Sequence, residues 1–121
     1  MKQVKYKNFI FMNGYVPVLS KLADQPIGAR KGWELAKYIK QVSEKNKIFE
    51  EQRIKLLDKF GKKGKDGNYK IDKDKEGDLN KEFDVLLNIE ETYDVEPITL
   101  DDDVKMSAKD LLLLDEILIH E

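Results

Sequence analysis

Oxygen-bearing side chains at alternating positions can hold a hard cation, and Asp72-Lys73-Asp74-Lys75-Glu76-Gly77-Asp78-Leu79-Asn80 begins in that way. Calcium loops of the helix–loop–helix type place oxygen ligands at positions one, three and five, glycine at six and a bidentate carboxylate at twelve. Asp72, Asp74, Glu76 and Gly77 meet the opening requirements. Position twelve is Phe83, with Glu82 one place too early, so the pattern predicts no calcium site. Asp101-Asp102-Asp103 is a second acidic run. Oxygen-only sites need about six ligands or more, and acids ahead of a helix are favoured there by its dipole. Neither a metal nor a cofactor is expected.

Covalent and acid–base chemistry have little to work with. The chain has no cysteine, and its one histidine, His120, is penultimate. That position suits a solvated helix end, where positive charge is favoured. Ser20, Ser43 and Ser107 have no base in view, and Ser43 and Ser107 read as helix caps. Glu90 and Glu91 are adjacent on an expected helix, where neighbours point apart. The run Gly61-Lys62-Lys63-Gly64-Lys65-Asp66-Gly67 lacks the Gly-Lys-Ser/Thr ending of a phosphate-binding loop and joins no strand to a helix. The expectation is a protein that is not an enzyme.

Lys59, Lys62, Lys63, Lys65, Lys70, Lys73 and Lys75 cluster around the aromatic residues Phe60 and Tyr69, a composition that can bind nucleic acid. Asp66, Asp72, Asp74 and Glu76 lie among them, and the pI is 5.6. Direct nucleic-acid binding is therefore not expected. Charge is divided along the chain. Residues 1–65 hold 16 Lys and Arg against 6 Asp and Glu, and residues 66–121 hold 6 against 18. Either the halves pack and screen one another, or one face stays open to a charged partner. An exposed acidic half could stand in for nucleic acid and would select a basic partner.

The elements that must position these residues follow from periodicity. With 121 residues, 40% hydrophobic and 38% charged, the chain fits one domain, 1–121, with its own core. It has no apolar run of about 18 residues that could span a membrane, and it begins without a signal-peptide core, so no membrane association and a cytosolic location are expected. Lys5–Met12 reads as a strand ended by Asn13-Gly14. A short helix follows with Pro17 in its first turn, and Gln25-Pro26-Ile27-Gly28 breaks the chain. From Ala29 to Phe60, Leu35, Ile39, Val42, Asn46, Phe49, Arg53, Leu56 and Phe60 recur at steps of four and three. That pattern predicts one long helix, or a helical hairpin broken near Ser43, stopped by Gly61. Residues 61–77 read as an exposed hairpin or mobile loop around Asp66-Gly67. A helix capped by Asp78 runs to Thr92, an edge strand covers 95–100 around Pro97, and a buried helix from Ala108 to His120 closes the chain. The fold class is α+β, predominantly α-helical. A long helix or helical hairpin packs with two shorter helices and a small antiparallel sheet drawn from 5–12, 68–71 and 95–100.

Three stretches carry a family resemblance: Leu19-Ser20-Lys21-Leu22-Ala23 followed by Gln25-Pro26, the helix end Lys55–Gly61, and Lys105–Glu116. With the Asp66-Gly67 insertion, their order resembles that of small proteins from tailed phages of Gram-positive bacteria. The resemblance spans nearly the whole chain and transfers no functional residue. It implies a life in the host bacterial cytoplasm and a host protein as partner. The leading expectation is a non-enzymatic inhibitor of a host factor, such as a defence nuclease or other immune effector. The alternatives are a head, tail or minor virion assembly protein that self-associates through the long helix, and a small-ligand or nucleotide binder that uses the lysine-rich loop. Aromatic residues and arginine dominate interface hot spots, which points to Trp33, Tyr38 and Arg53; Lys62, Lys63 and Lys65 are the charged candidates. Core burial would explain Trp33 equally well.

Overall fold

Val4 and Tyr6 alternate with Gln3, Lys5 and Lys7, the period-two pattern of a half-buried strand. The computed structural model describes residues 1–119, and in it Lys2–Lys7 (β1) is that strand. Its antiparallel partner is Glu90–Val95 (β4), with Val4 opposite Tyr93 and Lys2 opposite Val95. Val4, Tyr93 and Val95 are buried on one face. On the other, Lys7 lies opposite Glu90, and Gln3 Nε2 donates to Asp94 Oδ1 at 3.3 Å.

Between these strands run Phe9–Met12 (α1), Tyr15–Ala23 (α2), Ala29–Phe60 (α3), Gly61–Lys63 (β2), Tyr69–Ile71 (β3) and Lys73–Asn88 (α4); Ala108–Leu113 (α5) and a 3-10 turn, Asp115–Ile117, follow. The class is α+β and mainly helical, as the periodicity predicts. The long helix is unbroken, about 48 Å at 1.5 Å per residue. Ser43 is exposed in its middle rather than capping a second helix. The α3 helix packs on α2 and β4, and on α4 with the β2–β3 hairpin. Gly61 ends it in extended backbone. A Cβ there would overlap the Ile71 side chain and meet Lys70 O at 2.8 Å, so the hairpin folds back closely only because that side chain is absent.

Several expected boundaries move. Residues 9–12 are helix, because Asn8 turns the chain: its backbone N–H donates to Ile89 O at 2.9 Å and its buried side chain to Leu86 O at 3.0 Å. Asn8 thereby adds a second donor to Leu86 O, which also accepts from Ile89 N at 3.4 Å at the end of α4. That helix begins at Lys73 rather than at Asp78, with Asp74 and Glu76 in its first turn, where the dipole favours them. The calcium-like stretch is therefore mostly helix, and residues 73–77 are not loop. The strand expected at 95–100 lies at 90–95, so Glu90 and Glu91 are on a strand and Thr92 is not helical. Beyond it, Ile98 makes only an isolated parallel bridge to Leu118. Ser107 does cap α5, accepting from Asp110 N at 3.1 Å. The helix then stops at Leu113 instead of continuing, and His120 lies outside the described residues.

The centre of the core is four tyrosines. Tyr6 packs on Tyr15 and Tyr93 at 5.4 and 6.0 Å between ring centroids, and Tyr38 meets Tyr15 and Tyr93 edge-on at 6.5 and 6.2 Å. The Tyr15 and Tyr38 hydroxyls share a hydrogen bond of 2.6 Å. Among the described residues, Tyr6 Oη is buried without a hydrogen-bond partner. Leu19, Leu22, Val42, Leu114 and Ile117 close around the rings. Phe49 is also buried, stacked at 5.8 Å on Phe11. Burial pushes the phenols of Tyr6, Tyr15 and Tyr38 above their usual value and that of Tyr93 up to about 12, with Glu91 adding to the last.

Two predictions follow from the cluster. Tyr6→Phe removes an unsatisfied hydroxyl and should leave stability unchanged or higher. Tyr15→Phe strands the Tyr38 hydroxyl and should cost about 1–3 kcal/mol in urea unfolding. A larger loss from Tyr6→Phe would show that its hydroxyl is satisfied after all. The second concerns pH. Raised phenol values mean that the fold favours the neutral form, so this stability is complete below about pH 10 and falls as pH rises from there towards the folded values. Alkaline titration should show tyrosinate absorbance from the cluster appearing together with loss of helical circular dichroism. Ionisation of the cluster well before unfolding would contradict its burial.

Candidate interaction surface

The residues expected at an interface do not come together. Trp33 is 68% exposed on the first third of α3, pointing away from the core stripe formed by Leu35, Tyr38 and Val42. Tyr38 is 1% exposed and belongs to the tyrosine cluster, so it is a core residue and not an interface residue. Its spacing explains this, since Leu35 and Val42 flank it at i−3 and i+4 on the same helical stripe. Arg53 is half-buried on the seam, held by Glu50 through Nε and Nη2 at 3.0 and 2.9 Å. Lys62, Lys63 and Lys65 are exposed on the β2–β3 hairpin, beyond the far end of α3 from Trp33. About 40 Å of helix axis separates Trp33 from the end of α3 at Phe60, at 1.5 Å per residue, and the hairpin packs at that end, so Trp33 and the lysines form no common site. Near the lysines, Tyr69 Oη donates to Asp58 at 2.6 Å, which raises its phenol value.

Charge separation along the chain is partly cancelled by folding. Lys2 pairs with Glu116, Lys21 with Asp110 and Lys45 with Glu91, each joining the basic half to the acidic half. Lys31 Nζ also donates to Thr99 O at 2.6 Å. Such exposed pairs stabilise by about 0–1 kcal/mol each. Among the described residues, no cluster of three or more His, Asp or Glu side chains is placed to hold a metal ion, and no helix is long and apolar enough to cross a membrane.

The surface that periodicity missed is built by α5. Its sequence, with leucine at 111, 112, 113 and 114, reads as buried all round. The helix has only six residues, and one side faces the core. Leu114 is fully buried, but Leu112 is 75% exposed. Leu112 forms a ridge between two open hollows. One, of about 500 Å³, is lined by Leu100, Leu111, Leu118 and Ile119, with Asp115 at its edge. The other, of about 460 Å³, is lined by Met12, Asn13, Lys109 and Leu113. Met12 and Ile119 are themselves about half exposed. Contiguous apolar surface of this kind commonly marks a docking site. The one sequence signal for it is the run of four leucines, three in α5 and the fourth at its C-cap.

No family model matches the chain, and no curated protein or solved structure matches it either.

Trp33→Ala should change stability by less than about 0.5 kcal/mol in urea unfolding, as expected for a surface position. Tyr38→Ala should cost about 3–5 kcal/mol, the range for emptying a large aromatic site in a core. A loss above about 1.5 kcal/mol for Trp33→Ala would return the indole to the core.

Proposed function

We propose that this protein is a non-enzymatic, phage-encoded protein-binding module that inhibits a host factor such as a defence nuclease or other immune effector. The observation that carries the binding function is the exposed Leu112 ridge with an apolar hollow on one side and a mixed one, lined by Met12, Asn13, Lys109 and Leu113, on the other. Burying such a ridge in a partner removes apolar surface from water at about 25 cal/mol per Å². The residues at the margin give that surface a direction of charge. From Leu100 to Ile119 there are six acidic residues, Asp101, Asp102, Asp103, Asp110, Asp115 and Glu116, against Lys105 and Lys109. A partner with basic residues around an apolar anchor fits it. The phage and host parts of the proposal rest on the resemblance of Leu19–Ala23, Lys55–Gly61 and Lys105–Glu116. The lysine-rich hairpin supports a nucleotide-binding reading less well, because its lysines are spread along an exposed two-stranded ribbon.

The test is affinity capture from a Gram-positive host lysate with wild type and Leu112→Asp in parallel. Wild type should retain one host protein in stoichiometric amount, and Leu112→Asp should retain at least about 30-fold less, the loss of a hot-spot anchor. Equal retention by the variant would move the interface away from α5. An empty wild-type eluate would remove the host-factor reading.

A further inference from the structure

An apolar hollow open to water needs an occupant, and the chain itself carries one of matching shape and charge. Trp33 is the protein's one tryptophan and stands 68% exposed, so its core has no use for it. Around it on the outer side of α3 are Arg30, Lys37 and Lys40, at i−3, i+4 and i+7, the spacings that share a helix face. Only Lys37 of these has an ion-pair partner among the described residues, Glu34 at 2.9 Å. Segment 29–40 carries Arg30, Lys31, Lys37 and Lys40 against Glu34, a basic excess, whereas the segment forming the hollow has the acidic excess described above. The two surfaces are also neighbours. Ile119 lines the α5 hollow and also an adjoining hollow of about 410 Å³ that contains Arg30, Lys31 and Glu34.

We infer that the α5 hollow is filled by Trp33 of a second copy of this chain, reciprocally, in a two-fold dimer. A flat indole suits an open apolar hollow of about 500 Å³. Its ring nitrogen is a donor that needs an acceptor when buried, and Asp115 is the acidic residue among those lining the hollow. Lysines and arginine around the indole meet the acidic margin. Because Arg30 and Lys31 of α3 and the α5 hollow both border Ile119, a two-fold contact centred near Ile119 brings this part of α3 in one copy against the hollow of the other. A contact of that kind closes on itself and does not propagate. The inference does not require the host partner proposed above. If both hold, the dimer covers the ridge until a host protein displaces it.

The test is sedimentation velocity over a concentration series, followed in parallel by the fluorescence of the one tryptophan. Wild type should pass from a 14.1 kDa monomer to a dimer as concentration rises, with a blue shift of emission and with weaker association at high salt. Trp33→Ala and Leu112→Asp should each weaken dimerisation by at least about 30-fold while keeping wild-type circular dichroism. Mixing these two variants should restore a dimer weaker than wild type, since one intact Trp33 then meets one intact hollow. If Leu112→Asp does not fold, Lys37→Glu with Lys40→Glu tests the same contact from the α3 side, and it should weaken dimerisation at least tenfold. A wild-type monomer at every concentration overturns the inference. A dimer untouched by Trp33→Ala assigns the contact to another face and also overturns it. Failure of the mixed variants to pair overturns the reciprocal arrangement, and so does growth beyond the dimer. Host capture that persists while wild type stays monomeric removes only this inference and leaves the proposed function standing.

Discussion

Pairing of β1 with β4 is the constraint on which the rest of the structure depends. It joins the first residues of the chain to residues 90–95, across all of α1 to α4. Closing so long a loop costs entropy that grows only slowly with its length, but the strands recover it only if their shared face is buried. That face is Val4, Tyr6, Tyr93 and Val95, and its cover is α2 and the first half of α3. Gln41 fixes the docking. Its side-chain amide accepts from Asp94 N at 2.9 Å and donates to Asp94 O at 2.7 Å, so α3 satisfies the outward N–H and C=O of that residue as a further strand would.

The core filled by this arrangement is unusual in being aromatic and hydroxylated. Each ring pair in the tyrosine cluster contributes about 0.5–1.5 kcal/mol beyond the area it buries, while each hydroxyl must find a partner or cost stability. The Tyr15–Tyr38 bond settles two of them and fixes the relative rotation of α2 and α3. Tyr6 leaves one unsettled. A polar core of this kind favours a single packing over alternatives, because a shifted register would leave more hydroxyls without partners.

With the tyrosines consuming the interior, the large side chains left outside are informative. Trp33, Leu112, Met12 and Ile119 are exposed although apolar residues two or three positions along the chain, Leu35, Leu114, Tyr15 and Ile117, are buried. Leu112 lies in a helix too short to hide more than one side, and Trp33 lies diametrically away from Tyr38's stripe. Both therefore owe their exposure to the backbone path, and water contact at these positions is a cost that a partner removes. Opposite charge around the two positions makes them complementary to each other and to partners of the corresponding sign.

The sequence by itself determined the features that local periodicity and chain chemistry dictate. The long amphipathic helix from Ala29 to Phe60, the Gly61 stop, the Asp66-Gly67 turn, the Ser107 cap and the α-rich α+β class were all legible, because each depends on residues within a turn or two of one another. What only the tertiary structure decided are the contacts between distant residues. Asn8 looked like part of a strand until α4 offered it two carbonyls to bond. Glu90–Thr92 continued a helical pattern until β1 supplied a strand to pair with. Tyr38 and Trp33 are both aromatics on one helix; spacing puts only the first on the Leu35–Val42 stripe, and the position of β4 and α2 makes that stripe the core. Leu111–Leu114 is apolar in every direction, and only the length of α5 and its single packed face leave Leu112 exposed. Periodicity records which side chains share a face, whereas burial depends on what the rest of the chain places against that face.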